Sequence, residues 1–589
     1  MKTISTFLFF FCLLQYSIAQ TIPANRTVDW TLAGMRDTFS YASATTIDMQ
    51  TMGVVGDSVT NNDAALSAVL SSLSGSNILL FPAGNFVFNS TIELPNNTII
   101  KGAGADSTLF LMDLGGSGNA LEAKGSITTD TTNILTTAIK NSDTLMVFDV
   151  NKFVVGDWIQ LKQVDTALVT SSWANYQTGQ ISQIKAIDLI NNEIILQSPL
   201  RMDYDTAQQP YLVKINPAEK VGIECLSIQR IDDTAPQQSA NVYFKYAVNC
   251  WIKGIASNFC TFSHVKVEQS ANIKIAQSYF HHAFDYGDGG RAYGVVLQFA
   301  TSECLIEDNV FEHLRHSVLL QAGANGNVTA YNYSFDPFWV QSGLPADAAG
   351  DLVLHGNYVY ANLFEQNICR NIVIDNSHGA NGPNNTFFRN RAEGFGIFFS
   401  AANSPNQVLV GNAITNTGFP YSFANYSIQG TGHFLYGNND KGTIKPTGTS
   451  NLPDLTYAYS SRPSFVPANQ WGGIAPPNTV GANSIPAKDR FINNQFFATS
   501  CTTVITSTPT LAKANNVTIY PNPTQKWLNI ASENPVERLI VRNELGQVVL
   551  QLHQLPSLHT LDIEKWSTGL YFLTFELENQ QVITKKLFR

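Results

Sequence analysis

The sequence predicts an all-β fold: a parallel β-helix with an inserted antiparallel β subdomain and a C-terminal β-sandwich domain. Between residues 249 and 416, short runs rich in Val, Ile and Leu each end at a small residue or Asn. Equivalent positions recur every 22 or 23 residues, as in the pairs Asn249 and Asn272, Cys304 and Asn327, and Asn384 and Asn406. A constant period of this length indicates stacked supersecondary units. Because the apolar runs have the length of strands and no helical periodicity, each unit is predicted to be one coil of a β-helix.

The composition favours an extracellular β protein. Apolar residues make up 44% of the 589-residue chain and aromatic residues 11%, which is enough to fill the core of a long solenoid. Charged residues are only 14%, whereas Asn, Ser, Thr and Gly are abundant. The formal net charge of -10 argues against a nucleic-acid partner or an anionic membrane surface. An acidic substrate stays compatible with this charge, because a cleft can collect Lys, Arg and His locally.

Residues 1–20 have the pattern of a secretory signal peptide. Lys2 precedes the apolar run FLFFFCLL, and the small residue Ala19 lies near the end. This run is too short to span a membrane. No later segment has about 18 uninterrupted apolar residues. We therefore expect an exported monomer without a membrane span.

Residues 53–110 predict the entry to the β-helix. Asn61, Asn62 or Asp63 can cap a short amphipathic helix. Its apolar positions are Leu66, Val69, Leu70 and Leu73. Three strands are predicted to follow, at residues 78–81, 86–88 and 98–100, with turns at Pro82 and Pro95 between them.

This entry resembles that of a known superfamily. The Gly-Asp pair before the helix, the FPAG turn, the ELP turn and the KGAG strand end are similar to the N-terminal entry of the pectate-lyase superfamily of right-handed β-helices. The resemblance extends, with interruptions, over residues 53–414. It implies a right-handed β-helix and a carbohydrate polymer as substrate. It does not by itself imply a reaction, because this fold hosts several chemistries.

Residues 143–215 interrupt the 23-residue period. The segments VGDWIQL, QISQIKAIDL, NEIILQSPL and YLVKI predict antiparallel strands, with a hairpin turn at Asn191 and Asn192. We interpret this region as a β subdomain inserted beside the solenoid. Its large aromatic residues form either a sugar-stacking wall or the small core of the insert. They are Trp158, Trp173, Tyr176 and Tyr204.

The last part of the chain is predicted to be a separate domain. The β-helix domain extends over residues 21–498, and a stretch rich in Thr, Ser and Ala at residues 499–516 predicts a linker. Residues 517–589 predict a β-sandwich. Its YPNP, WSTGLYF and KKLFR segments resemble the C-terminal sorting domain of the type IX secretion system of Bacteroidetes. That resemblance implies the type IX machinery as a partner, followed by release or surface attachment. The alternative is a carbohydrate-binding sandwich.

Stacking of the coils predicts an internal asparagine ladder. Equivalent positions in successive coils lie about 4.8 Å apart. Aligning the coils places one buried column at Asn309, Asn332, Asn362, Asn390 and Asn412. Amide groups bonded along the axis reinforce such stacks, so we assign this column to the fold.

A second set of polar residues is predicted to face outward. One column holds His281, Glu312, Phe335 and Glu365, and the next holds His282, His313, Asp336 and Gln366. Around them lie Asp285, Asp288, Arg291, Arg315 and His316. Four of the ten histidines fall within 36 residues here, which stacking would bring together. The alternative is a ladder of mutually bonded surface groups without a function.

This cluster is compatible with two cleavage reactions. A uronate lyase needs a base, which His282 or His313 can provide, and a cation for the substrate carboxylate, which Arg315 or Arg291 can provide. Asp285 and Asp288 are a possible calcium site. A glycoside hydrolase needs two carboxylates about 5–9.5 Å apart. The carboxylates available for such a pair are Asp285, Asp288, Glu312 and Glu365.

The sequence analysis therefore predicts a secreted enzyme that degrades an acidic polysaccharide, with a preference for lyase chemistry. The predicted catalytic residues are His282, His313, Arg315, His316, Asp285 and Glu312. The predicted substrate-binding residues are His281, Arg291, Glu365, Trp173 and Tyr176. The alternatives are a glycoside hydrolase and a non-catalytic glycan-binding surface protein or adhesin. The paired-aspartate and Gly-His-Gly motifs of polygalacturonases and the Asp-Pro-His-Asp motif of alginate epimerases are not found, so no catalytic residue can be transferred from those families.

Overall fold

The structure is a computed structural model. It describes residues 21–232, 238–287, 289–341, 343–421, 426–474, 484–495, 517–520, 522, 524, 526–532, 535–543, 545–577 and 582–589. The chain divides into two compact units, Met1–Thr503 and Val504–Arg589. The predicted signal peptide and linker lie outside the described residues.

The first unit is a right-handed parallel β-helix, as predicted, and each complete coil contributes three strands. Row 1 is a twelve-stranded parallel sheet. Its strands are Thr45–Asp48, Asn77–Leu80, Thr98–Lys101, Gly222–Glu224, Trp251–Lys253, Lys274–Ala276, Leu305–Glu307, Val328–Ala330, Leu363–Glu365, Thr386–Phe388, Val408–Val410 and Phe434–Tyr436. A short parallel pair, Ala218–Glu219 with Ala247–Val248, lies beside it.

The other two rows belong to one twenty-stranded sheet. Row 2 consists of Asp57–Asn61, Gly84–Phe88, Thr108–Met112, Ser227–Arg230, Ala256–Cys260, Tyr279–Ala283, Val310–Glu312, Tyr333–Phe335, Ala413–Ile414, Asn438–Asp440 and the antiparallel Thr443–Lys445. Row 3 consists of Ile92–Glu93, Leu121–Lys124, Ala240–Lys245, Ser263–Glu268, Tyr293–Gln298, His316–Leu320 and Leu352–Leu354. The long strands Ile368–Ile374 and Arg391–Phe399 pass through both rows and join them.

The core of the β-helix follows from the period-2 alternation of these strands. In row 3, Val295 pairs with Val318 and Val318 with Leu352, and all three side chains are buried. One apolar side chain of each coil therefore packs on its equivalent in the next coil, which no single coil could achieve alone. Side chains between these positions point to the outer face of the row.

The entry region follows the sequence prediction closely. Helix α1, Asp63–Ser72, begins after Asn62 and buries Leu66 and Val69 against the first coils.

The remaining helical elements are short. The second α-helix, α2, is Pro486–Ile492. Single 3-10 turns occur at Ala24–Arg26, Trp30–Leu32, Tyr41–Ser43, Ser172–Ala174, Thr206–Gln208, Ala346–Ala348 and Ala468–Gln470.

The inserted subdomain is a six-stranded antiparallel sheet with its own apolar core. In sheet order its strands are Thr144–Met146, Glu193–Leu196, Gln180–Asp188, Trp158–Lys162, Tyr211–Asn216 and Ser126–Asn133. Because the last of these precedes residue 143, the sheet begins earlier in the chain than the predicted insert.

The asparagine ladder is present, but it is two ladders. In the first, each Nδ2 donates to the Oδ1 of the next residue at 2.9–3.1 Å. Its members are Asn309, Asn332, Asn367, Asn390, Asn412 and Asn438. The second consists of Asn327, Asn362, Asn385 and Gln407. The prediction that Asn362 belongs to the first column was wrong, because the coil after Asn332 is 35 residues long and a fixed period misplaces the later coils.

The outer face of row 1 is covered by other parts of the same unit. The N-terminal segment packs there through Trp30, whose Nε1 donates to the carbonyl of Ala361 at 2.8 Å. Residues 452–474, the C-terminal strap, also pack on this face. Because row 1 is covered, the outer faces of rows 2 and 3 are the ones left to bind a polymer.

The second unit has two antiparallel sheets around a separate core. One contains Val517–Tyr520, Trp527–Ser532 and Leu558–Asp562. The other contains Val548–Leu555, Val536–Asn543, Leu570–Leu577 and Val582–Phe588 in sheet order. This arrangement is the predicted β-sandwich.

Candidate functional site

The outward-facing residues predicted as one cluster lie on two rows. His281, His282, Glu312, His313 and Asp336 lie at the end of row 2 and form what we call the row 2 cluster. Two further predicted residues lie on the other side of the turn that leads into row 3. Arg315, His316, His355, Asp375 and His378 form the row 3 cluster.

The row 2 cluster is a stack of rings across successive coils. His281 pairs with Glu312, and Glu312 with Phe335, in the parallel register of the strands. One position later, the ring of His282 stacks on that of His313 with centroids 4.9 Å apart. The Nδ1 of His313 donates to Oδ2 of Asp336 at 2.7 Å.

The surroundings of this cluster shift the pKa values of its two carboxyl groups in opposite directions. Burial raises the pKa of Glu312, to which the Tyr279 hydroxyl donates a hydrogen bond. The hydrogen bond from His313 lowers the pKa of Asp336. Burial and the neighbouring His313 lower the pKa of His282 to about 4, so its imidazole is neutral at pH 7. Glu312 therefore holds a proton more readily, whereas Asp336 stays ionised.

The row 3 cluster belongs to a polar line along the outer face of its sheet. Each coil contributes the outward-facing residue that directly follows the last inward-facing side chain of its row 3 strand. The line consists of Glu268, Gln298, Gln321, His355, Asp375 and Ser400. Gln298 donates to Glu268 at 2.6 Å, and Gln321 donates to Gln298. Hydrogen-bonding groups therefore extend over six consecutive coils, about 24 Å at the strand spacing.

His355 and Asp375 are the charged pair within that line. The Nδ1 of His355 is 2.5 Å from Oδ2 of Asp375, and the Ser377 hydroxyl donates to the same oxygen at 2.5 Å. Burial acts to raise the pKa of Asp375, but these hydrogen bonds outweigh it and hold the pKa well below its usual range. The carboxylate therefore fixes a proton on Nδ1 of His355 and leaves Nε2 as the free basic atom.

Arg315 and His316 lie beside this pair. The rings of His316 and His355 are 6.2 Å apart, and His316 stacks on Tyr293, with which the Arg315 guanidinium is also in contact. Burial lowers the pKa of His316 to about 3, and its Nδ1 donates to the carbonyl of Gly350. Arg315 donates from Nη1 to the carbonyl of Gly287 at 2.8 Å, but within the described residues it has no carboxylate partner and its buried Nε has no hydrogen-bond acceptor.

The insert contributes an aromatic side chain to this face. Trp173 is 44% exposed and meets the rings of His378 at 5.3 Å and Phe299 at 5.9 Å, both from the solenoid. Tyr176 is 43% exposed on the same loop. Trp158 and Tyr204, in contrast, are buried. The four aromatic residues thus divide between the two alternatives: two face solvent, of which Trp173 contacts the row 3 cluster, and two are internal.

Some predicted site residues lie elsewhere. Glu365 is fully buried in row 1, where Thr456 and the amide of Tyr457 bond its carboxylate. It was expected on the outer face because the long coil after Asn332 shifted the alignment. Gln366, aligned with the same shift, is also buried. The carboxylate of Asp285, which was expected to bind calcium, forms an ion pair with Arg291.

No group of three or more His, Cys, Asp or Glu side chains is arranged to hold a metal ion in the part of the chain that the structure describes. Asp288, the second residue of the predicted calcium site, lies outside that part. Cys250 and Cys260 are free and buried. No described helix is long and apolar enough to cross a membrane.

The predicted site residues did not include His355, Asp375 and His378. They lie in coils of unequal length, so a fixed period does not align them with His316. The available signal was local: DNSH, residues 375–378, places an acid and a His directly after the apolar run IVI. Once the strands are paired, these residues fall on the outer face of row 3.

Comparison with known proteins identifies two parts of the chain. Residues 518–588 match the family described as secretion system C-terminal sorting domain. Residues 46–208 match the family described as rhamnogalacturonase A/epimerase, pectate lyase-like. A search of curated proteins found no match.

Several solved structures are similar to this chain. One is a tailspike of the Acinetobacter baumannii bacteriophage AP22 in complex with capsular saccharide, with 12% identity over 65% of this chain and 79% of that one and a TM-score of 0.33. Another is a family 28 exopolygalacturonase of Yersinia enterocolitica, with 11% identity over 69% and 80% and a TM-score of 0.29. A third is the A-module of a mannuronan C-5 epimerase of Azotobacter vinelandii, with 11% identity over 67% and 97% and a TM-score of 0.29.

The two family matches confirm both predicted resemblances. The chain has a pectate-lyase-like β-helix and a C-terminal sorting domain. The sorting domain directs the protein through the type IX secretion system to the cell surface or the extracellular space.

Proposed function

We propose that this protein cleaves an acidic polysaccharide by β-elimination, with the row 3 cluster as the active site. The observation on which the proposal depends is the combination of Arg315, a guanidinium without a described carboxylate partner, and the hydrogen-bonded pair His355 and Asp375 on one face. In a protein of net charge -10, an arginine that has no carboxylate partner among the described residues and lies beside a polar line suits an anionic sugar. The family match of residues 46–208 supports a glycan substrate.

The chemistry assigns a role to each group. Arg315 binds the uronate carboxylate and stabilises the negative charge that develops when the adjacent carbon loses its proton. His355 accepts that proton on Nε2, while Asp375 stabilises the imidazolium that forms. The electron pair of the broken C–H bond forms a C=C double bond as the glycosidic C–O bond breaks. The leaving oxygen takes the proton back from His355, so the reaction is balanced without a co-reactant.

A second candidate function, glycoside hydrolysis, is favoured by the row 2 cluster. Glu312 and Asp336 have pKa values displaced in opposite directions, which is the pattern of an acid and a base or nucleophile. In this reaction Glu312 would protonate the leaving oxygen, and Asp336 would activate water or attack the sugar. A non-catalytic glycan-binding role needs only the polar line and Trp173.

The test is a product analysis on polysaccharides with free uronic acids and on neutral ones. We expect the mature protein to form an unsaturated product, detected by its ultraviolet absorbance, on at least one uronate polymer. New reducing ends without that absorbance, lost in Glu312→Gln and retained in His355→Asn, would instead establish hydrolysis at row 2. Binding without any product would leave the adhesin alternative and overturn both reactions.

A further inference from the structure

A buried asparagine side chain of the solenoid is bonded to the loop of the insert that contains Trp173. We call residues 165–178 the insert loop. Asn357, fully buried in the turn that follows row 3, accepts the backbone N–H of Thr170 at 2.9 Å and that of Ser171 at 3.0 Å on its Oδ1. Two bonds from adjacent amides to one oxygen fix both the position and the direction of the chain two residues before Trp173.

Two glycines allow the loop to approach this closely. A Cβ on Gly323 would lie 2.1 Å from the carbonyl oxygen of Gln177, and one on Gly379 would lie 1.9 Å from Oγ1 of Thr170. Both glycines have positive φ in turns of the solenoid. The insert loop therefore lies directly against the coils that also contain His355 and His378, although it is about 180 residues earlier in the chain.

The loop is also braced internally. Asp165 is buried and accepts the amides of Tyr176 at 2.7 Å and Thr178 at 2.8 Å on its two oxygens. These bonds close the loop at its base, whereas Asn357 holds its far side. With both sides fixed, the indole of Trp173 has a defined place beside His378.

We propose that Asn357 is a positioning residue for substrate recognition: it holds Trp173 as a stacking surface for a second sugar ring, next to the acidic sugar bound at Arg315. This inference rests on the proposed function. Arg315 precedes a row 3 strand and His378 follows one two coils further on, about 10 Å apart along the axis. The substrate class is therefore a polymer with an acidic residue and, at least one residue away along the chain, a pyranose ring whose apolar face meets Trp173.

The conformation of Asn357 determines which substitutions are informative. Its φ is +50°, where Asn, Asp and Gly are tolerated and other residues are strained. Asn357→Gly removes the acceptor without adding that strain. Asn357→Asp keeps an acceptor for both amides, and it loses only Nδ2, which has no hydrogen-bond partner. Comparison of the two variants thus separates the effect of losing the hydrogen bonds from the effect of changing the residue at a left-handed backbone position.

The first measurement is amide hydrogen exchange in the full-length protein, which does not depend on any activity. We expect Asn357→Gly to accelerate exchange at Thr170 and Ser171 at least tenfold, and Asn357→Asp to leave it close to the wild type. Ile190→Ala, at the exposed hairpin tip of the same insert, is the matched control. Unchanged exchange in Asn357→Gly would overturn the positioning role whatever the protein does to glycans.

The second measurement is steady-state kinetics on the polymer that the wild type cleaves. We expect Trp173→Ala and Asn357→Gly each to raise KM about tenfold with kcat changed less than about threefold, because stacking is remote from the broken bond. Asn357→Asp should restore KM most of the way. Accelerated exchange with an unaltered KM would refute the recognition role while leaving the proposed function intact. A wild type that neither cleaves nor binds any polymer would refute both.

Discussion

The imidazole of His355 is held from one side only. Asp375 fixes Nδ1, Ser377 adds a second hydrogen bond to the carboxylate, and His378 packs edge-on at 4.8 Å. Nothing in this arrangement uses Nε2. The lowered pKa of Asp375 keeps its carboxylate ionised beside Nδ1.

The first prediction concerns that pair. Asp375→Asn should keep the shape of the site but remove the charge that stabilises an imidazolium, so we expect kcat to fall about 10²–10⁴-fold. His355→Asn should lose at least as much. Asp188→Asn, at the exposed hairpin of the insert, should retain full activity. Comparable rates in Asp375→Asn and the wild type would exclude His355 as the base.

A second prediction separates charge recognition from general binding. Arg315→Gln should weaken the affinity for a uronate polymer about tenfold or more, because it removes the charged donor for the carboxylate. The same substitution should not alter the affinity for that polymer after its carboxyl groups are reduced to alcohols. Calorimetric titration of both polymers measures the two effects. An equal loss on both would show that Arg315 only supports the fold of the loop at Gly287.

At the scale of elements, the asparagine ladders fix the register between successive coils. Asn332 accepts from the amide and side chain of Asn309 at 3.0 Å and donates to the carbonyl of Ile306 at 2.8 Å. It thereby satisfies backbone groups that a turn between strands leaves without partners. Because each ladder residue does this for its neighbours, the turn can remain short from coil to coil.

The third prediction follows from that role. Asn332→Ala removes hydrogen bonds to the two neighbouring coils and leaves buried polar groups unpaired, so we expect a loss of about 2–4 kcal/mol in the free energy of unfolding. Asn89→Ala, an exposed asparagine in the entry region, should change it by less than about 0.5 kcal/mol. Urea denaturation of both variants provides the comparison. A loss below about 1 kcal/mol in Asn332→Ala would mean that the ladder is dispensable.

The sequence predicted the strands well and their alignment less well, for a physical reason. Apolar alternation and turn residues are local, so α1, the entry strands and the antiparallel insert were recognisable. The coil that contains residues 336–349 is 35 residues long, whereas the coils on either side have 23. No local feature of the sequence indicates where a long loop rejoins its row. Asn362, Glu365 and Gln366 were misplaced by this one loop. His355 and Asp375 could not be joined to His316 for the same reason, although each was visible individually.

At the scale of the whole molecule, buried carboxyl groups make the stability of the first unit depend on pH. Glu365 is buried under the C-terminal strap, and burial raises its pKa to about 7. A carboxyl group whose pKa is higher in the folded than in the unfolded state stabilises the fold while it is protonated. Its contribution is complete below the unfolded pKa near 4.5 and is lost as pH rises through about 7.

The fourth prediction isolates this group. Between pH 6 and pH 8 the wild type should lose about 1 kcal/mol of stability that Glu365→Gln does not lose, because the amide cannot ionise. Histidines whose pKa is lowered by burial, such as His264 and His316, are neutral in the fold and titrate near 6.5 in the unfolded chain, but they do so in both proteins and cancel in the comparison. Thermal unfolding of the first unit at the two pH values measures the difference. Glu93→Gln, an exposed position, serves as the control. Parallel pH profiles in the wild type and Glu365→Gln would contradict the assignment.

The division into two units predicts how secretion fails. Each unit has its own apolar core, so we expect the β-helix to fold without residues 517–589. The matched sorting domain, however, lies entirely within the removed part. We expect a chain that ends at residue 516 to fold and to accumulate in the periplasm, with the same glycan activity there that the full chain has outside the cell. Cell fractionation with an activity assay on each fraction tests this.

Arg589→Ala provides a milder second variant. Arg589 pairs its backbone with Gly569 and donates to the carbonyl of Ile563, and both contacts hold the final strand within the second unit. Truncated protein found in the medium at the level of the full chain would show that export does not depend on this domain.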